Sequence, residues 1–409
     1  MNFEMTGTLS IGKETEKFHP YSETKYDTGW VRRRLLFNAQ CGDSRHMLTV
    51  EAGSYEDGHG DVYTFSKPTY DENGKRISSG ESIKIPFEER LTSPKIAEVA
   101  EYKKFVFDLE KPGRRRRLKA ALDNVKEGKG VTDEELEKLE VKSVNDLEEE
   151  YKKSEKRHHS FISEWDYAEF IKKVIDSGKF KDCKFHIRGQ INFSYSDNKE
   201  RFYESIVPNR IYLSSDDVEE KSTATMNFVF NSESLDETSV EEDAKYYVNG
   251  YIFKYDSNRK KKLPVPITIV ISVPDAEKDS AGFKKANAQK RKFIVDEEDK
   301  YLEYGVLVDM VNGSQRVEIT EDMLTDEQKE DLDCGLITME DIQRAIGNSA
   351  YGDPLKEYRF IKPSHSGIKE GIQDTVYTSD DMIVKPVEEE DEDVVLFSEE
   401  SVDDDDLLG

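Results

Sequence analysis

Short stretches of apolar and aromatic residues, separated by polar turns, run along most of the chain. Six of them in the first third have the composition and spacing of strands, and glycines stand in the turns between them. These stretches are 3–11, 30–39, 47–51, 61–65, 82–85 and 105–109. Gly7, inside the first stretch, predicts a bend where a sheet curls. Short strands with glycine-bearing turns indicate a small sandwich or barrel.

The pattern changes to helical spacing after residue 111. Four consecutive arginines (114–117) open this region, Thr132 and Glu135 form a capping box, and Ser163 begins a further helix. Gly178 is placed to end that helix. The apolar residues of this helix share one face and predict packing against a sheet: Tyr167, Phe170, Ile171, Val174 and Ile175.

A second group of strands follows the helical region. Its members are 182–195, 201–213, 223–230, 246–255 and 266–273, with later strands at 301–311 and 358–361. The pattern predicts a mainly β chain with helical insertions, an α+β class with two or more small β-barrels. We expect a β domain at 1–111, a helical connector at 112–178, a second β-rich domain at 179–300, an α+β segment at 301–386 and a disordered acidic tail at 387–409.

One pattern of helix starts occurs twice. Residues 131–147 and 324–342 each contain two short capped helices with similar sequences. Duplicated architecture explains this echo, and so does the shared chemistry of helix starts, so both interpretations stay open.

The charge of the chain is strongly asymmetric. The net charge is −27, and the run from residue 388 to the end holds twelve carboxylates and no Lys or Arg. Such a run repels itself and predicts a solvated tail. Residues 1–120, in contrast, carry 21 Lys and Arg against 19 Asp and Glu, which indicates a locally basic surface.

Enzymatic and metal-binding patterns are absent from the sequence. It contains no phosphate-binding glycine loop, no zinc-protease helix motif, no nucleophile elbow and no paired CxxC. The three cysteines are far apart, which suits a reducing compartment. We therefore expect no catalytic residues, no metal and no cofactor, and a cytoplasmic protein without a membrane span.

The stretch 30–37 is the strongest candidate for a binding surface. Side chains alternate between the faces of a strand, so Trp30, Arg32 and Arg34 share one face, and apolar side chains occupy most of the other. An aromatic ring stacks on any base and guanidinium groups neutralise phosphates, which is the combination that a single strand of nucleic acid requires. An amphipathic strand with a solvated outer face is the structural alternative.

Aromatic and basic residues recur in the later strands, although Tyr and Phe are also common in strands for structural reasons. A basic turn at 259–262 follows one aromatic row. The predicted stacking residues are Trp30, Tyr63, Tyr203 and Tyr251, the predicted phosphate ligands are Arg32, Arg34, Arg201 and Arg210, and the further contacts are Phe65, Tyr212, Phe253, Lys260 and Lys261.

The tail and the β modules together resemble the single-stranded-DNA-binding proteins of bacteriophage replication systems. The tail ends in Asp403, Asp404, Asp405 and Asp406, followed by Leu407 and Leu408. The resemblance implies OB-like modules and a tail that recruits replication or recombination proteins and competes with DNA for its groove. The bacterial type ends in Pro-Phe, whereas this chain ends in Gly409.

We therefore predict sequence-tolerant binding of single-stranded DNA in phage replication or recombination, in the host cytoplasm. The main alternative is a β-rich virion or assembly protein with a solubilising acidic tail. An enzyme subunit such as a nuclease accessory factor, and an acidic DNA mimic that inhibits host proteins, are further alternatives.

Overall fold

The computed structural model shows a mainly β protein in which most strands join one sheet of fifteen strands. The structure describes residues 1–240, 244–257, 259–274, 280–298, 300–316, 324–334, 336–338, 351–364 and 371–384.

The strands in chain order are β1 (Asn2–Ser10), β2 (Tyr21–Lys25), β3 (Trp30–Cys41), β4 (Ser44–Tyr55), β5 (Asp61–Phe65), β6 (Thr69–Tyr70), β7 (Arg76–Ser78), β8 (Ser82–Pro86), β9 (Phe105–Asp108), β10 (His158–Phe161), β11 (Lys184–Ser196), β12 (Arg201–Leu213), β13 (Lys221–Phe230), β14 (Leu235–Asp236), β15 (Lys245–Asp256), β16 (Lys261–Ser272), β17 (Leu302–Arg316), β18 (Tyr351–Pro363) and β19 (Ile372–Asp374). The α-helices are α1 (Arg114–Lys126), α2 (Asp133–Lys138), α3 (Leu147–Lys156), α4 (Glu164–Asp176), α5 (Ala281–Lys290) and α6 (Asp326–Asp333).

Five strands of the N-terminal half pair in a closed cycle, which we call the first cycle. β1 pairs antiparallel with β3, and β3 pairs antiparallel with β4. β4 meets β12 in a parallel pairing, β12 pairs antiparallel with β11, and β11 returns antiparallel to β1. Each strand of the cycle therefore has a partner on both sides.

Five later strands repeat this arrangement and form the second cycle. β13, β15 and β16 pair antiparallel in that order, β16 meets β18 in parallel, and β18 and β17 lead back antiparallel to β13. The two cycles are joined because β1 also pairs antiparallel with β13. Strand order, strand direction and the position of the single parallel pair are the same in both.

Gly7 lies where β1 changes its partner. Residues 2–6 of β1 pair with β13, and residues 8–10 pair with β3. A Cβ atom built at Gly7 would lie 1.9 Å from the carbonyl oxygen of Gln40, so only glycine allows β1 to approach β3 at this point.

Strand pairing changes at a different residue from the predicted boundary at 179. β11 and β12 were expected to open a second β-rich domain, but they pair with β1 and β4 of the first cycle. The pairing changes at the connection between β12 and β13, at residues 214–220. Likewise β17 and β18, in the predicted segment 301–386, pair with β13 and β16. Long-range pairing of this kind leaves no mark on local periodicity.

The sequence echo between 131–147 and 324–342 does not coincide with this repeated strand order. α2 lies between β4 and β11, the third and fourth strands of the first cycle, whereas α6 lies between β17 and β18, the fourth and fifth strands of the second. The two matching helices thus occupy different connections of the repeated strand order.

A single hydrophobic core contains side chains from both cycles. Phe37 and Phe185 of the first cycle and Phe228 and Ile269 of the second are among its fully buried members. α4 packs on the first cycle through Tyr167 and other residues of its apolar face. Among the helices that the structure describes, none combines the length and the apolar character that a membrane crossing requires.

Candidate nucleic-acid interface

The outer face of β3 and β4 carries the three residues that were predicted to share one face of the strand from the alternation of side chains along β3. Trp30, Arg32 and Arg34 are half-buried on one side of β3, while the side chains of Val31 and Leu35, on the other side, are buried in the core. β2 flanks β3 on one side and β4 on the other, so this face is a broad surface of three strands. We call it the β3–β4 face.

Aromatic rings continue from Trp30 into the next strand and its turn. Trp30 pairs with Tyr55 across β3 and β4, and their rings meet edge to face with centroids 5.0 Å apart. The His59 ring stacks on the Tyr55 ring, with centroids 3.9 Å apart. The result is a row of three rings at one end of the face.

Gly53 determines the position of the Trp30 ring. A Cβ atom at Gly53 would lie 1.9 Å from Cζ2 of Trp30, so the indole rests directly on the glycine backbone of β4. A side chain at this position would force the indole away from the strand.

The guanidinium group of Arg32 is held on the face by a carboxylate of β4. Arg32 contacts the carboxylate of Glu51 through two nitrogen–oxygen pairs, each 2.8 Å apart. Glu51 also lies opposite Arg34 in the strand register.

Arg33 interrupts the apolar face because it packs under α4. Its guanidinium lies 3.7 Å from the ring centroid of Trp165 and pairs with Glu23 and Glu169 at 2.7 and 3.3 Å. These contacts explain a charged residue on the inner side of the strand, and they assign Arg33 to the scaffold.

Tyr63 and Phe65 lie on the two-stranded sheet of β5 and β8. They are 69% and 44% exposed, respectively, and point from the same side of β5. The Lys84 ammonium lies 5.8 Å from the Tyr63 ring, and the Lys103 ammonium lies 5.1 Å from the Phe65 ring and 5.9 Å from that of Tyr102. These residues form a second aromatic and basic surface, the β5–β8 surface.

The predicted residues of β12 interact in pairs. Nε of Arg201 donates a 2.8 Å hydrogen bond to the Tyr203 hydroxyl. Arg210 donates to the Tyr212 hydroxyl at 3.1 Å and to the carbonyl of Glu101 at 2.7 Å. Arg210, predicted to hold phosphate, thus ties β12 to the segment that carries Tyr102.

In the second cycle the corresponding outer face is partly covered. Tyr251 and Phe253 are half-buried on the outer side of β15, as predicted from alternation. The Tyr377 ring stacks on the Phe253 ring. Phe253 therefore already has an aromatic partner from its own chain.

The basic residues in the turn after β15 differ in their exposure and in their ion pairs. Arg259 is nearly buried, pairs with Asp256 at 3.1 Å and with Asp197, and lies 5.1 Å from the ring of Tyr195. Lys260 and Lys261 remain exposed beside it. Since Tyr195 and Asp197 belong to the end of the β11–β12 hairpin, this turn lies next to the strand that begins at Arg201.

The four arginines 114–117 also differ from one another. Arg114 is buried and pairs with Glu110 and Glu150, and Arg115 contacts both oxygens of Asp108 at 2.8 Å.

The partner-binding tail that was predicted at Asp403, Asp404, Asp405, Asp406, Leu407 and Leu408 lies outside the described residues.

Several residues of these surfaces were not selected from the sequence. Tyr55 and His59 could be identified only from the hairpin register of β3 and β4, and Tyr102 and Lys103 only from the fold of a short 3-10 turn next to β5.

In the described part of the chain, His, Cys, Asp and Glu side chains form no group of three or more suited to a metal ion.

Comparisons with known proteins leave the family open. No protein-family model matches the chain, and no curated protein matches it. Among solved structures, the chain is similar to a deletion mutant of the single-stranded DNA binding protein from Thermus aquaticus. The TM-score is 0.26 with 8% identity, over 76% of this chain and 86% of that chain, and a score of this size does not establish a shared fold.

Proposed function

We propose that this protein binds single-stranded DNA without strong sequence preference, through two OB-like β-barrels. The support for OB-like modules is the pairing order of each cycle. Three antiparallel strands, a parallel closure between the third and fifth strands, and a fourth strand that returns to the first form the arrangement of an OB-fold.

The observation that carries the proposal is the composition of the β3–β4 face. OB-folds bind oligonucleotides on the face of their second and third strands, and these are β3 and β4 here. That face holds the Trp30, Tyr55 and His59 rings beside Arg32 and Arg34. Stacking contributes roughly 1–3 kcal/mol per base and is tolerant of sequence, and the arginines add a salt-dependent attraction for phosphates.

The setting of this activity is also part of the proposal. The acidic tail and the paired modules support a role in DNA replication or recombination of a phage, in the host cytoplasm, with the tail recruiting protein partners. The protein would act by binding alone, without a catalytic step.

Photocrosslinking maps the contact directly. An oligonucleotide of thymidine and 5-iodouridine is irradiated with the full chain, and crosslinked peptides are identified by mass spectrometry. We expect crosslinks on Trp30, Tyr55 or His59, and fewer in the Trp30→Ala variant. Crosslinks restricted to surfaces away from β3 and β4, or their complete absence, would contradict the proposal.

A further inference from the structure

A groove lies beside the first cycle, between α1 and the ends of β11 and β12. Its volume is about 720 Å³, and its lining includes Arg116, Lys119, Tyr151, Tyr212 and Lys221. No residue of the β3–β4 face takes part in it. We call it the α1 groove.

The lining of the α1 groove is rich in basic residues, although the chain as a whole is strongly acidic. Its lining holds five Lys or Arg residues and two carboxylates, Asp108 and Glu110, while the whole chain has a net charge of −27. Three of the five cations pair with carboxylates: Lys111 with Glu140, Arg115 with Asp108 and Lys221 with Glu4. Both carboxylates are occupied. Asp108 accepts hydrogen bonds from Arg115 and His158, and Glu110 lies 3.2 Å from Arg157.

The arginines in the first turn of α1 lower the stability of the helix itself. The helix begins at Arg114 and has no acidic residue in its first turn. Positive charge near a helix N-terminus opposes the helix dipole, typically by about 0.3–1 kcal/mol per charge. Arg114 and Arg115 recover this cost through their carboxylates. The exposed Arg116, in the first turn, and the exposed Lys119, in the second, have no ion pair among the described residues. An external anion is the partner that would recover the cost at Arg116 and neutralise both side chains.

A path of aromatic and basic residues connects the groove with the β3–β4 face. Tyr212 in the groove accepts a hydrogen bond from Arg210, which also binds the carbonyl of Glu101. The next residues, Tyr102 and Lys103, belong to the β5–β8 surface with Phe65. From β5 the chain leads directly back to His59, which stacks on Tyr55.

We infer that the α1 groove is a second binding site for single-stranded DNA, which holds phosphates of a strand that continues beyond the β3–β4 face. This inference rests on the proposed function. Arg116 and Lys119 are three residues apart on one side of α1, roughly 5–6 Å between their Cβ atoms, so they can face neighbouring phosphates. Tyr151 and Tyr212 line the same groove and offer rings to bases, which favours nucleic acid over an acidic peptide.

The test compares two lengths of oligo-dT, about 8 and about 30 nucleotides, because a single OB module covers roughly 4–16 nucleotides. Binding to the full chain is measured by fluorescence anisotropy at several concentrations between 50 and 400 mM NaCl, for wild type and for Arg116→Glu/Lys119→Glu. The matched control is Lys126→Glu/Lys129→Glu, which makes the same change in charge outside the groove. Arg116→Glu places a carboxylate at a helix start, so the variant is expected to fold, and thermal unfolding checks this.

We expect the groove variant to lose about tenfold or more in affinity for the long oligonucleotide at low salt. Its salt slope should fall by about 1.4, the value for two lost phosphate contacts on a single strand. Affinity for the short oligonucleotide should stay within about twofold of wild type, and the control should resemble wild type for both lengths.

Three results would overturn the assignment. The groove variant could bind the long oligonucleotide as wild type does, or the control could weaken binding equally, which would reduce the effect to net charge. Unchanged DNA binding with lost binding of a peptide of residues 388–409 would identify an acidic-peptide site instead. Failure of wild type to bind even the short oligonucleotide would instead remove the proposed function, and the groove assignment with it.

Discussion

Tyr377 stacks on Phe253 with their ring centroids 4.0 Å apart and their planes within 11° of parallel. Phe253 lies on the outer side of β15, the second strand of the second cycle, at the place where an OB-like module would stack a base. The segment 371–384 that carries Tyr377 contains three aspartates and no Lys or Arg. The Tyr377 ring thus covers one face of the Phe253 ring, which would stack on a base under the proposed function.

Replacement of Tyr377 by alanine should therefore strengthen binding of oligo-dT. In this variant the Phe253 ring is free to stack on a base, and a base stack typically contributes about 1–3 kcal/mol. In the wild type, the Tyr377 stack must be broken first, which offsets part of that free energy. We expect about a three- to tenfold gain in affinity for a long oligonucleotide, measured by anisotropy. Val376→Ala is the control, since Val376 is 93% exposed. Equal affinities of Tyr377→Ala and wild type would show that the stack does not compete with DNA.

Gly53→Ala tests whether the position of the Trp30 indole matters. The new methyl group would overlap the ring, so the indole must leave β4 while the core side of the strand keeps its packing. We expect affinity for oligo-dT to fall about fivefold or more, with a smaller change in thermal stability. The control is Gly130→Ala, because a Cβ atom there has open space. If Gly53→Ala binds oligo-dT with wild-type affinity, the position of the Trp30 indole does not determine DNA binding.

His46 links stability to pH at the contact between the two cycles. It is 1% exposed on β4, and nearby Asn312 of β17 donates a hydrogen bond to the carbonyl of Arg45 at 2.9 Å. Burial lowers the pKa of His46 to about 4, assisted by the charge of Lys356, although a hydrogen bond with the Met310 backbone opposes this shift.

Because the pKa of His46 is lower in the folded state than the ordinary value near 6.5, the unfolded chain binds a proton first as pH falls. The contribution of His46 to stability is complete above pH 6.5 and is lost progressively towards pH 4, by up to about 3 kcal/mol. Urea unfolding at several pH values between 7.5 and 4.5 should show this loss in wild type and a smaller one in His46→Gln. Parallel curves for wild type and His46→Gln would refute the assignment.

Deletion of residues 388–409 should strengthen binding of oligo-dT at low salt. The deletion removes twelve carboxylates that compete with phosphates for cationic surfaces, so the gain should shrink as salt screens this attraction. A titration at 50 and 300 mM NaCl measures it. If affinity is the same with and without the tail at 50 mM, self-competition by the tail is excluded.

Local pattern predicted the strands well and their partners poorly. Alternation placed Trp30, Arg32 and Arg34 on one side of β3, and the structure has them there, because side-chain direction in a strand depends on local geometry. The pairing of β12 with β4 joins residues such as Ile206 and Leu48, which are far apart in sequence. No periodicity specifies such a partner, so the prediction divided the first cycle at residue 179.

The candidate site shows the same limit. The sequence identified Arg210 as a basic residue on a strand, but its hydrogen bond to the Glu101 carbonyl depends on where a distant turn folds back. The partnership of Phe253 with Tyr377 likewise joins segments more than a hundred residues apart. Residue type predicted which side chains suit nucleic acid, and only the fold determined which of them already have a partner.

Equilibrium binding of single-stranded and duplex DNA shows whether this protein prefers a single strand. Labelled dT and a duplex of equal length are titrated with the full chain by anisotropy at 50 and 300 mM NaCl, alongside Trp30→Ala. We expect dT to bind more tightly than the duplex, added salt to weaken binding, and Trp30→Ala to lower the affinity for dT about fivefold or more. Equal binding of both ligands, or no binding of dT by wild type at 50 mM NaCl, would contradict this expectation.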